Sequence, residues 1–111
     1  MLELTPQQMQ VVERLFTAGF RPIAIPPYES ALCMHRGACA ALLSPVENGG
    51  LRILAPPSYL IEGHFAVRLK RGGADVFVWK QMELEGTPQR LEELERFRTE
   101  LTEILETPTT I

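Results

Sequence analysis

The stretch His64-Phe65-Ala66-Val67-Arg68-Leu69-Lys70-Arg71-Gly72-Gly73-Ala74-Asp75-Val76-Phe77-Val78-Trp79-Lys80-Gln81 decides the fold. Two runs of alternating apolar and polar side chains flank Gly72-Gly73, the composition of a tight hairpin turn that needs positive φ. With those glycines as the loop, Arg71 pairs with Ala74, Lys70 with Asp75 and Val67 with Val78. Side chains alternate between faces along a strand, so this register assigns a face to every residue. One face gathers Phe65, Val67 and Leu69 with Val76, Val78 and Lys80, and is expected to lie under helices as core. The other gathers His64, Ala66, Arg68 and Lys70 with Asp75, Phe77, Trp79 and Gln81, and is expected to stay open.

That second face is unusual for a surface in water. It holds the chain's single tryptophan beside Phe77, an arginine and an amide, the mixture found at binding hot spots. Arg68, Phe77, Trp79 and Gln81 are therefore the candidate interface or ligand-contacting residues, with Arg68 able to lie over a ring. Two such faces packed sheet to sheet give a homodimer. A one-residue slip, or a sheet covered on both sides, instead makes Phe77 and Trp79 ordinary core.

Upstream of the hairpin the chain also reads as extended. Candidate strands are 21–25, 31–35, 38–44 and 51–54, followed by 64–70 and 75–84 of the hairpin itself. Glu47-Asn48-Gly49-Gly50 is a turn by composition. Pro26-Pro27 and Pro56-Pro57 must leave the ladder, because proline has no backbone N–H to donate. Pro56-Pro57-Ser58-Tyr59 also spells a short proline-motif ligand, but Leu60 and Ile61 favour burial and a rigid corner. The connections are too short for helical crossovers, so the sheet is expected to be antiparallel.

The two ends read as helices. Thr5-Pro6-Gln7-Gln8 is a capping box with proline in the first turn, and Gly19 is a natural stop. Met9, Val12 and Phe16, with Val11 and Leu15 beside them, form an apolar stripe. Thr87-Pro88 opens a second helix, where Leu91, Leu94, Phe97, Leu101, Ile104 and Leu105 share a face, and Glu92, Arg96 and Glu100 form an i,i+4 ladder. The fold expected is α+β and two-layered: an antiparallel meander of about five or six strands flanked by an N-terminal and a C-terminal helix. One domain spans residues 1–107 in this reading, and 108–111 form a frayed tail.

With 111 residues, 45% hydrophobic and 23% charged, the chain has the composition of a globular domain large enough for its own core. A net charge of -3 argues against a nucleic-acid partner, which requires concentrated Lys and Arg. The charges are nonetheless segregated: Arg52, Arg68, Lys70, Arg71 and Lys80 cluster centrally, whereas the C-terminal helix is rich in Glu. No run has membrane-spanning length, so no membrane partner is expected. Met1-Leu2-Glu3-Leu4 carries an acid where a secretory signal has a basic flank. The expected location is cytoplasmic, with the cysteines as thiols.

The two cysteines and two histidines stand at Cys33, His35, Cys39 and His64. In a continuous strand Cys33, His35 and Cys39 share a face, and a three-residue loop keeps them together. A two-residue loop sends Cys39 to the other side. If they converge, His64 completes a Cys2His2 set for zinc, although Cys-x-His-x3-Cys is not the usual knuckle spacing. The competing reading is buried thiols among Leu32, Met34, Ala38, Ala40 and Leu42, and on that reading no cofactor is expected.

Catalysis has little to draw on. No third residue orients a Cys–His dyad, and neither glycine pair opens a helix as a phosphate loop does. Glu62, two residues before His64, is the one acid–base suggestion. The leading expectation is a non-catalytic, cytoplasmic association module that acts as a homodimer or binds another protein. The alternatives are a metal-binding or thiol-redox domain at Cys33, His35, Cys39 and His64, and a small-molecule enzyme or sensor with a pocket between helices and sheet near Glu62 and His64.

Overall fold

The computed structural model describes residues 3–28 and 30–107; the expected tail at 108–111 lies outside the described residues. Helices α1 (Pro6–Thr17) and α2 (Pro88–Glu106) bracket β1 (Arg21–Pro22), β2 (Leu32–Arg36), β3 (Cys39–Pro45), β4 (Leu51–Ile53), β5 (Ser58–Ile61), β6 (His64–Phe65), β7 (Val67–Arg71), β8 (Ala74–Trp79) and β9 (Met82–Glu85). The class is α+β, and the strand pairs are antiparallel.

Both helices start as their sequences direct. The Thr5 hydroxyl accepts from the Gln8 N–H at 3.2 Å, and Gln8 Oε1 accepts from the Thr5 N–H at 2.9 Å. Gln8 is also buried. Its Nε2 donates to the carbonyl oxygens of Val46, Gly49 and Gly50 at 3.2, 3.4 and 3.4 Å. One side chain thus closes the helix cap and ties it to the β3–β4 turn. The Thr87 hydroxyl accepts from the Arg90 N–H at the start of α2. The apolar stripe of α2, with Leu94, Phe97 and Leu101 buried, is used up against α1 and the sheet.

The strands form two sheets rather than one meander. The first runs β1-β2-β3-β5-β6, with β4 also on β3; the second is β7-β8-β9. β4 and β5 share one edge of β3: Leu43 lies opposite Ile53, and Ala40 opposite Ser58. They are one strand interrupted at residues 54–57, where Pro56-Pro57 takes the chain out of the ladder. Sequence patterning sees the exit there and misses the return as β5.

Two further turns divide strands that the alternating pattern joins. The chain breaks at Ala66 between β6 and β7. Trp79 pairs with Met82, so Lys80-Gln81 is a turn and β9 returns along β8. Lys80 adopts φ 55 there, a conformation usually left to glycine or asparagine, so composition gives no warning. At the other end of β9, Gly86 is tightly placed: a Cβ on it would sit 2.7 Å from the Asp75 carbonyl oxygen.

The first sheet is covered on both faces. On its helix face Met34, Cys39, Ala41, Leu43 and Tyr59 join Val11, Leu15, Phe20, Phe97 and Leu101 in the main core. Phe20 and Phe97 meet edge to face at 5.2 Å. Arg36 lies over Phe20 at 4.5 Å and bridges to Glu100 of α2 at 2.5 Å. On the outer face Cys33, Ala40 and Leu42 pack with Ile25 into a second cluster. The segment carrying Ile25 is held across the sheet by the Ile23 N–H, which donates to the Cys33 carbonyl at 3.0 Å.

Candidate functional site

The β7–β8 register is the one the glycine pair implies: Val67 opposite Val78, Lys70 opposite Asp75 and Arg71 opposite Ala74. The environments of the two faces differ from expectation at Phe77, Val67 and Leu69, while Val76 is buried and Arg68 and Lys70 are exposed as expected. Phe77 is 0% exposed and belongs to the main core, with Tyr59 edge-on at 5.0 Å. It is therefore not available as a surface anchor in the folded chain. Conversely Val67 is 58% and Leu69 42% exposed, although they stand on the face expected to be buried. Ala66 and Phe77 both belong to the main core and seat the opposite face beside Tyr59.

The other residues expected at that surface divide. Trp79 is half-buried; the imidazole of His64 stacks on its ring at 3.7 Å and 16°, and Lys80 Nζ lies 4.7 Å from the ring. Gln81 is exposed in the following turn. Arg68 is exposed and directs Nε to Asp75 at 3.3 Å, joined by Lys70 Nζ at 3.4 Å. Arg68, foremost, and Lys70 hold the Asp75 carboxyl below its ordinary value. Arg68, Trp79 and Gln81 remain reachable, but Phe77 does not join them.

The proposed ligands Cys33, His35, Cys39 and His64 do not converge. Arg36 pairs with Cys39, so the loop is the two-residue Gly37-Ala38, the case that sends Cys39 to the opposite face. Cys33 lies in the outer cluster and Cys39 in the main core. The two are not joined to each other in a disulfide. Cys39 donates to the Glu93 carboxylate at 3.6 Å. Burial first, and that carboxylate second, push its pKa up to about 11, the reverse of an activated thiol. His35 Nδ1 lies 3.1 Å from the Gly37 carbonyl oxygen, and His64 Nδ1 lies 3.0 Å from that of Glu62. The Glu62–His64 suggestion thus becomes a main-chain contact within the turn. Among the described residues no group of three or more His, Cys, Asp or Glu is arranged to hold a metal.

The exposed face of the second sheet has an ordered composition. Across β7, β8 and β9, one row reads Leu69, Val76, Glu85 and the next Val67, Val78, Glu83. Val76 is buried and Val78 half-buried between these neighbours. Arg71, on the same face, forms an ion pair with Glu83. β7 is the sheet's edge strand, all five of its residues are exposed, and it carries Arg68, Lys70 and Arg71. On this apolar face Arg71 is the basic residue of β7 and Glu83 and Glu85 are the acids of β9, whereas Arg68 and Lys70 turn to the opposite face with Asp75.

The stripe continues into the first sheet through Phe65, whose ring meets Tyr28 edge-on at 6.4 Å. There a groove of about 340 Å³ is lined by residues that include Tyr28, Pro56, Ser58, Phe65, Val67 and Arg68. Pro56-Pro57 forms one wall because those residues have left the ladder. The sequence reading missed this groove; its visible sign was the double proline. Among the described residues no helix is long and apolar enough to cross a membrane. No family model, curated protein or solved structure matches the chain.

Proposed function

We propose that the chain is a cytoplasmic association module, non-catalytic in itself, that pairs with a second copy through the outer face of β7 and β8. The observation that carries this reading is the exposure of Val67 and Leu69, at 58% and 42%, beside a half-buried Val78 and a buried Val76. Water contact with such a stripe is unfavourable at ~25 cal/mol per Å², and covering it drives association.

Charge favours a second copy as the occupant. A two-fold axis running along the strands, between β7 and β8, sets Val67 and Leu69 of one protomer over Val76 and Val78 of its partner. The same axis leaves Glu83 and Glu85 of each β9 beside Arg71 across the interface.

Sedimentation equilibrium of the double variant Val67→Asp, Leu69→Asp tests this. A dimeric wild type and a monomeric, natively folded variant are expected. A variant that associates as the wild type does would place the contact elsewhere.

A further inference from the structure

The groove beneath Pro56-Pro57 contains a polar group with nothing to bind. Ser58 is 3% exposed, and its Oγ is buried without a hydrogen-bond partner among the described residues. Burying a hydroxyl without a partner is costly, and folded chains rarely retain one to no purpose. Ser58 lies opposite Ala40, a member of the outer cluster, so its side chain projects to the face on which the groove opens. The rest of the lining is apolar or aromatic apart from Arg68, the only formal charge among the described lining residues. Arg68 commits Nε to Asp75, and its side chain is 49% exposed.

We infer that this groove is a binding site for a small aromatic carboxylate. The ring lies between Pro56, Tyr28 and Phe65, the carboxylate meets the guanidinium of Arg68, and a polar atom on the ligand body satisfies Ser58 Oγ. The volume of about 340 Å³ lies in the range of small-molecule sites. In the empty groove the hydroxyl is shut off from water, so seating a ligand on it requires a lining side chain to shift. Tyr28, 41% exposed and resting edge-on against Phe65, is the one positioned to do so. A guanidinium–carboxylate pair at a half-exposed mouth gives orientation and selection for an anion, and the aromatic walls give most of the affinity.

This inference goes beyond the association reading; the two surfaces meet at Val67, which lines the groove, whereas Leu69 does not. Its test is therefore run on both the wild type and Leu69→Asp. The probes are benzoate, phenylacetate and indole-3-acetate, each beside its neutral amide, followed by amide chemical shifts in NMR titration. Saturable shifts at residues 58 and 65–68, for at least one acid in preference to its amide, are expected. Arg68→Gln should weaken that acid about tenfold, the effect of losing one charge-assisted contact. Ser58→Ala should raise the thermal midpoint of the free protein, since it removes an unsatisfied hydroxyl, and should weaken the acid as well. That opposition separates a ligand-directed hydroxyl from a structural one. Equal binding of acid and amide, no saturable shifts in this region, or a lower midpoint in Ser58→Ala would each overturn the assignment.

Discussion

Leu69 lies opposite Val76 in the β7–β8 ladder, and the two meet water unequally: Leu69 is 42% exposed and Val76 9%. Their truncation should separate accordingly. Val76→Ala should cost about 1.5 kcal/mol, at ~0.8 kcal/mol per buried methylene equivalent. Leu69→Ala should change monomer stability by no more than about 0.5 kcal/mol. Phe77→Ala, in the main core, should cost ~3–5 kcal/mol. Urea denaturation of the three variants, at a dilution that leaves only monomer, gives the order.

His64 and Trp79 report on each other. Their stack at 3.7 Å is worth roughly 0.5–1.5 kcal/mol on the scale of aromatic pairs. His64→Ala should lower stability by an amount in that range and shift Trp79 emission to longer wavelength as the ring gains water. Trp79 is the only tryptophan, so the spectrum has a single source. An unchanged emission maximum would show that the two rings are not stacked in solution.

The pair Cys39 and Tyr59, opposite each other between β3 and β5, sets the alkaline limit. Burial, then the Glu93 carboxylate, raises the Cys39 thiol from 9.0 to about 11. Burial, then Cys39, raises the Tyr59 phenol further still; that phenol donates to the Arg90 carbonyl at 2.8 Å. Both groups hold their protons more tightly in the folded chain than in the unfolded one. Their contribution is therefore complete below pH 9.0 for the thiol and is lost as pH rises through about 11. Chemical denaturation should show falling stability across that window, and Cys39 should react with a thiol reagent at neutral pH only through unfolding. Rapid modification of Cys39 in the native protein at neutral pH would contradict this.

Gly86 should not tolerate a side chain. The Asp75 carbonyl oxygen, 2.7 Å from the position of an added Cβ, is backbone and also accepts the Gly86 N–H at 2.9 Å. Gly86→Ala must separate β9 from the hairpin, at a cost of roughly 1–3 kcal/mol. The thermal midpoint of this variant is the measurement, and a midpoint equal to that of the wild type would contradict the close approach.

Legibility in the sequence followed the source of each constraint. Local chemistry was readable: Thr5 with Gln8, Thr87 with Pro88 and Gly72 with Gly73 each act within a few residues, and their caps and register form as expected. The choice of buried face was not. Alternation assigns Val67 and Phe77 to opposite faces, but which face meets the core depends on Tyr59, contributed by a strand that the double proline hides. Lys80 concealed the β8–β9 turn by taking positive φ without being glycine. The cysteine cluster turned on a single residue of loop length: with Gly37-Ala38 as the whole turn, Cys39 points away from Cys33 and His35. The groove had only the double proline as its sign, because Ser58 and Phe65 approach Tyr28 only after the chain folds back.

The association face is tested most directly by isotope-filtered NOE spectroscopy on a mixture of labelled and unlabelled protein. Contacts between the methyl groups of Val67 or Leu69 in one protomer and those of Val76 or Val78 in the other are the predicted result. A single-chain mass at the same concentration, with no intermolecular contact from these methyls, would contradict the account.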